Sequence, residues 1–340
     1  QRCRLEHVNR LLPYRRDDYL LLDDSSKRNL EIFSSLVYGS ARGTLLGILD
    51  GTVTPMGGRM LRSWLNWPLV ERTAIEARHD AVEDLMREGI TLRDIRDAMK
   101  GVKDLERITG KVVFGAATPR DLIALRDSLR KIPGIKTLLH ALHAQLLVEA
   151  AEIDPLEDGE TLLSQAIVDD PPHTIREGGV IRKGYNAQLD ELRSVAFEGK
   201  GWIARMETKE RDRTGIPNLR VGYNRVFGYY IEVTRSHVHK VPEEYVRKQT
   251  LVNAERYINQ ELKDYEAKVL GAEERMIDLE QNLFFQIIKQ IAQQAARLRS
   301  AAELLARTDV FCALADIAVR NRYVRPSLRD DDVIEIEEGR

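Results

Sequence analysis

No apolar run of 18 or more residues interrupts this 340-residue sequence, which excludes a membrane-spanning helix. The amino-terminal QRCRLEHVNRLL is charged and lacks the apolar region of a signal peptide. Cysteine is nearly absent: Cys3 and Cys312 are the only two, and without a local pattern they point to a reducing cytoplasm while leaving their pairing open. There is no GxxxxGK[ST] stretch and no GxGxxG, so neither phosphate cradle is present and no nucleotide-driven enzyme is expected in this chain. No Cys/His spacing fits zinc. The 7 histidines form no inferable Ser/His/Asp grouping, and the pair His237 and His239 reads as a surface loop because nothing nearby completes a metal site. No cofactor or metal is therefore expected. No repeat of fixed period and no low-complexity segment is found.

What is present is a chain too long for one ordinary core, so two or more units are expected. Hydrophobic content of 43% supplies that core, and charged content of 31% suits long solvent-washed helices. The chain begins without Met and stops at DDVIEIEEGR, which alternates like a strand lacking its partner; we expect a piece of a larger protein. A net charge of −2 argues against wholesale nucleic-acid binding, yet the charge is uneven. From Lys200 to Tyr257, 12 Lys or Arg face 7 Asp or Glu, an excess of +5; from Ile258 to Arg340, 12 face 16.

The first half reads as a compact body of short capped helices, after a short strand at Tyr19–Leu22. Thr54-Pro55 is a helix start, followed by an apolar face of Met60, Leu61, Trp64 and Leu65. Thr73 and Glu76 have capping-box spacing, with Gly89 as the stop. Thr118-Pro119-Arg120-Asp121 repeats the start signal, and Pro133-Gly134 closes that helix. The glycine-rich LDGTVTPMGGR, Leu49 to Arg59, reads as a helix entry with close backbone packing in preference to a phosphate-binding loop.

Asp169-Asp170-Pro171-Pro172 marks a break. Beyond it, two long amphipathic stretches flank a short aromatic, basic patch, NLRVGYNRVFGYYIEV (Asn218 to Val233). The first stretch, Ile181 to Arg213, begins after Gly178-Gly179 and places Tyr185, Leu189, Leu192, Ala196, Ile203 and Met206 on one face. The second, Gln260 to Leu305, has a narrower seam: Ile258, Leu262, Tyr265, Val269, Ala272, Met276, Leu279 and Leu283, in alternating steps of 4 and 3. A chain that runs out along one helix and back along another builds an arm; some 30 residues reach roughly 45 Å. At its tip, Val221 to Val233 reads as strand, with Asn224-Arg225 as a tight hairpin turn. A short helix is expected from Pro242-Glu243-Glu244, and a third strand over 250–258.

The tip interleaves Arg220, Arg225, Arg235, Lys240, Arg247, Lys248 and Arg256 with Tyr223, Tyr229, Tyr230 and Tyr245. Lys and Arg neutralise phosphates and release counterions, and Tyr and Asn donate to phosphate oxygens. Composition alone leaves two readings equally open, a surface for a nucleic-acid backbone or a solvated charged surface over a small aromatic core. Phe227, Tyr230 and Ile231 are read as core, not as stacking platforms.

Several of these segments resemble a known family. LLGILDGTVTPMGGRMLRSWLNWPL (Leu45 to Leu69), TIREGGVIRKGYNAQLDELR (Thr174 to Arg193) and TGIPNLRVGYNRVFGYYIEVT (Thr214 to Thr234) are similar to the central region of the bacterial MutS family of DNA mismatch-recognition proteins, as are NLEIF (Asn29 to Phe33) and NAERYINQELKDYE (Asn253 to Glu266). The resemblance runs over nearly the whole chain. It implies a mainly α fold: a helical core/lever domain with long antiparallel helices and an inserted small α/β clamp domain at their tip. The division expected is core/lever at 1–177 and 269–340, with the clamp at 178–268.

The resemblance also implies what lies elsewhere. The closing IEEGR is similar to the lead-in to the family's ATPase domain, and the mismatch-reading domain is marked by Phe-x-Glu, whereas none of the 7 phenylalanines here has Glu two residues on. ATP and Mg are expected only in the full-length protein, as are a homodimer and repair partner proteins. For this chain the implied partner is double-stranded DNA, the mechanism is transmission of nucleotide state through levers to clamps, and the location is cytoplasmic, on the nucleoid. Charge and tip position nominate Arg220, Asn224, Arg225, Arg247 and Lys248 for backbone grip. Three other readings compete. They are a coiled-coil tether whose hinge tip binds protein, an enzyme using the Leu49 to Arg59 loop, and a divergent family member from meiotic crossover control or from the branch without mismatch repair.

Overall fold

A computed structural model describes residues 18–224 and 228–337, with side chains omitted at 195–200 and 268–270. The chain is mainly helical with one small antiparallel sheet. It divides into two compact units, residues 1–169 with 287–340, and residues 170–286. Asp169–Pro172 is where they part.

Among the described residues, the regular structure of the discontinuous unit is helical apart from one isolated bridge. Its ten short helices are α1 (Asp24–Asn29), α2 (Leu45–Leu49), α3 (Pro55–Asn66), α4 (Arg72–Arg87), α5 (Gly89–Met99), α6 (Leu105–Val113), α7 (Pro119–Leu129), α8 (Ile132–Leu139), α9 (Gln145–Ala151) and α10 (Glu157–Ala166). The last long helix, Ala295–Asn321, runs among them and packs on α2, α3, α4, α5, α6 and α9. Ala301, Ala302, Leu305, Ala306, Val310, Phe311, Cys312 and Ala313 are all buried, so the middle of this helix is covered on most sides. Its many alanines let neighbouring helices approach closely. Cys312 is a buried free thiol, and burial pushes its pKa up.

The glycine-rich stretch before α3 is a helix entry, and the reason is one acid. Asp309, fully buried on the long helix, accepts hydrogen bonds from the Val53 amide at 3.0 Å, the Thr54 amide at 2.8 Å and the Thr54 hydroxyl at 2.6 Å. Thr54 in turn caps α3 through the Gly57 amide. A Cβ on Gly57 would lie 2.2 Å from Asp309 Oδ2, so only glycine admits the carboxylate. The amides that a phosphate would need are thus already taken by an internal anion. Burial pushes the Asp309 carboxyl above its usual range, against the pull of the Thr54 hydroxyl and the two amides.

Other starts and stops differ from expectation for local reasons. Tyr19 makes a single bridge to Leu69, not a strand. The cap of α4 is Glu71, whose carboxylate takes the Thr73 and Ala74 amides, while Glu76 pairs with Arg72. Gly89 opens α5 instead of closing α4. Thr118 and Asp121 do form a capping box, but Pro133-Gly134 lies within the first turn of α8, where proline's missing N–H is tolerated.

The inserted unit holds α11 (Ala187–Thr214), β1 (Arg220–Asn224), β2 (Gly228–Thr234), a 3-10 turn (Arg235–Lys240), β3 (Val246–Thr250), β4 (Ala254–Ile258) and the beginning of α12 (Gln260–Gln293); the long helix above is α13. Asn186 caps α11 through the Leu189 amide, and Asn259 caps α12 through the Leu262 amide. The two helices run antiparallel, because partner numbers fall along α12 as they rise along α11. Arg193 pairs with Glu280, Trp202 stacks on Tyr265 at 3.5 Å, and Lys209 pairs with Glu261. Leu189, Met206, Leu262, Ala272 and Leu283 of the expected seams are buried. Ile258 belongs to β4, and the second stretch is not one helix to Leu305 but breaks at Gln294.

The first turns of this unit are pinned by Glu280, which is 1% exposed. It accepts from the Gly179 and Ile181 amides, both at 2.8 Å, and from Arg193 Nη2 at 2.9 Å. Gly178 and Gly179 sit at φ of 71° and 78°, the left-handed region that glycine enters freely.

Candidate nucleic-acid interface

The sheet order is β1-β2-β4-β3, all antiparallel. Two of its strands were unforeseen in their bounds. The stretch 250–258 contains a turn, closed by the Leu251 amide on the Ala254 carbonyl, so it splits into the end of β3 and β4. The helix expected at Pro242–Glu244 is a turn, and the 3-10 segment precedes it. Asn224 pairs with Gly228 across the end of the first hairpin; Arg225, proposed with it as the turn, lies outside the described residues, as does Phe227.

Side chains alternate between faces along each strand. One face carries Val221, Tyr229, Ile231, Val233 and Tyr257, which join Met206, Ile216, Leu219 and Leu262 in the unit's core. The ends of α11 and the strands are tied together there. Glu207 accepts from the Val221 amide, and Arg211 donates to the Leu219 carbonyl. Buried Glu210 accepts from the Tyr245 hydroxyl at 2.6 Å and pairs with Arg213; burial and that acid push the Tyr245 phenol up.

The opposite face is polar. The pairings Arg220↔Glu232, Glu232↔Arg256 and Gln249↔Arg256 set Arg220, Glu232, Arg256 and Gln249 in one row across all four strands. Arg256 Nε donates to Glu232 Oε2 at 2.9 Å, and its Nη1 to Gln249 Oε1 at 3.0 Å. Its guanidinium lies over the Tyr230 ring, 4.1 Å from the centroid. Tyr230 in turn lies over Gly222, where a Cβ would come within 2.8 Å of the ring.

Of the residues nominated from the sequence, Arg220 and Asn224 fall on this face, at the two ends of β1. Arg247 does not: it pairs with buried Tyr257, on the core side, and approaches Glu255 at 3.6 Å. Lys248 is the extra residue of a bulge between Arg247 and Gln249, and is exposed. Tyr230, read as core, is a stacking platform after all, though for an arginine. Arg256 stood in the list of tip cations but was not nominated. Its two-residue offset from Ala254 and its register with Glu232 follow from strand pairing, which a single sequence does not display.

Comparison with known proteins gives this face its context. Residues 25–315 match the MutS domain III family. A DNA mismatch repair protein MutS of Ruminiclostridium cellulolyticum is 48% identical over 341 residues, covering 100% of this chain and 39% of that protein. Its counterpart in Halothermothrix orenii is 47% identical over 100% of this chain and 38% of its own length. That of Salinibacter ruber is 48% identical, again over 100% of this chain and 38% of its own. The chain thus spans about two-fifths of the relatives it matches. Over that span the similarity is continuous and well above the level at which families are told apart: this chain belongs to the MutS family.

Proposed function

We propose that this chain is the lever and DNA-gripping part of a mismatch repair protein. In this reading the inserted unit, around residues 178–268, is a clamp. The helical remainder, 1–177 and 269–340, is the core and lever that carries the nucleotide state of a separate ATPase domain to it. The grip is on the backbone of double-stranded DNA, without base readout. ATP and Mg, a homodimer, repair partner proteins and a place on the cytoplasmic nucleoid belong to the full-length protein.

The observation that carries the proposal is the polar sheet face, with Arg220, Asn224, Tyr230 and Arg256 on a small, well-packed platform. Arginine, tyrosine and asparagine side chains are the groups that hold phosphate oxygens, and a rigid strand pair fixes their spacing. Arg247 and Lys248, on the edge strand β3, are proposed as further contacts, and so is Arg225, which lies outside the described residues. The paired α11 and α12 supply a stiff connection suited to transmitting a rotation. The relatives are named for mismatch repair, so the coiled-coil tether is not favoured. The Val53 and Thr54 amides of the Leu49–Arg59 loop already hold the Asp309 carboxylate, which weighs against the enzyme reading.

Fluorescence anisotropy with matched and mismatched duplexes tests this. The 340-residue chain is expected to bind both alike, with a Kd near or weaker than roughly 10⁻⁴ to 10⁻⁶ M, and to lose affinity steeply as salt rises. A clear preference for the mismatch, or binding indifferent to salt, would overturn the proposal.

A further inference from the structure

The row across the sheet alternates in charge: Arg220 on β1, Glu232 on β2, Arg256 on β4. Neighbouring strands lie about 4.8 Å apart, so the two arginine backbones stand roughly 10 Å apart with the carboxylate between them. Glu232 already accepts from Arg256 Nε at 2.9 Å. Among the described residues, the Arg220 side chain makes no hydrogen bond or ion pair. A carboxylate and a phosphodiester are both anions that accept from a guanidinium, and they call on the same donors.

We propose that Glu232 is a built-in competitor for the DNA backbone, occupying the anion position between Arg220 and Arg256 that a duplex phosphate must take. The inference rests on the reading of this face as a DNA grip and names its regulation. Arg256 is held independently of Glu232, by its hydrogen bond to Gln249 and by stacking on Tyr230. Replacing the acid by glutamine therefore leaves the guanidinium in place and removes the negative charge that competes with phosphate. The acid lowers the charge of the row from +2 to +1 and keeps the grip weak, which suits a contact that must open and slide.

The test is anisotropy with a matched duplex at several salt concentrations, comparing the unaltered 340-residue chain with Glu232→Gln and Gln249→Glu. Glu232→Gln keeps shape and removes charge; it should bind about three- to ten-fold more tightly at low salt. The slope of log Kobs against log salt should steepen by about 0.9, the value for one more phosphate neutralised. Gln249→Glu adds a second acid beside Arg256 and should weaken binding by a similar factor. Circular dichroism and melting curves establish that each variant is folded. If the unaltered chain binds and folded Glu232→Gln binds equally or more weakly, the acid is not a competitor and this inference fails alone. If neither chain binds at any salt, the reading of the face fails and takes the inference with it. Binding by Glu232→Gln alone supports both.

Discussion

Asp309→Ala will cost the helical unit about 3–5 kcal/mol, enough to consume much of a typical domain's stability. The carboxylate is the acceptor for the Val53 amide, the Thr54 amide and the Thr54 hydroxyl. Alanine leaves these donors without their acceptor, and each stranded donor costs about 1–3 kcal/mol. The loss spreads, because Thr54 is also the cap that starts α3 and α3 packs directly on α13. Asp309→Asn provides the control: it retains one oxygen but turns an NH₂ toward donors, so an intermediate loss of about 2 kcal/mol is expected. Urea unfolding followed by circular dichroism measures both. A change below about 1 kcal/mol for alanine would show that the loop is held by something other than this acid.

Glu280→Ala should be the second most damaging single change, at about 3 kcal/mol, and local to the inserted unit. Two backbone amides and Arg193 lose their acceptor at once. The turn at Gly178-Gly179 is tied to α12 by the Glu280 carboxylate, and alanine removes that acceptor. Hydrogen exchange reads the effect directly: the Gly179 and Ile181 amides, protected in the parent chain, should exchange orders of magnitude faster, while Val53 and Thr54 stay protected. Equal exchange at Gly179 in both chains would contradict the assignment.

How much of this was legible beforehand follows from the range of each interaction. Caps and periodic seams are local, and Thr54, Thr118, Leu189, Met206, Leu262 and Ala272 behave as their spacing suggested. The errors arise where a neighbouring side chain competes for the same role or where a distant group decides. Glu71 displaced Thr73 as a cap because its carboxylate reaches two amides of the first turn. The α12–α13 break at Gln294 interrupts a heptad-like pattern that continues through it in sequence. Asp309 lies 255 residues from Thr54, and no spacing rule links them. At the candidate site, basic and aromatic residues were visible, but their faces were not. A period of two tells which residues share a face within one strand, and only cross-strand register joins Arg220 to Arg256 or sends Arg247 to the other side. The bulge at Lys248 shifts that register by one residue, which hides it further.

The central claim is that the polar sheet face of the inserted unit holds duplex phosphates. Its most direct test is the salt slope of matched-duplex binding by the unaltered chain and by Arg220→Gln. Arg220 is exposed, carries no ion pair among the described residues and sits clear of the core cluster, so its loss should leave folding intact. The account predicts weaker binding and a slope shallower by about 0.9, the signature of one phosphate contact removed. An unchanged affinity and slope in the folded variant would contradict it and move the grip elsewhere on the chain.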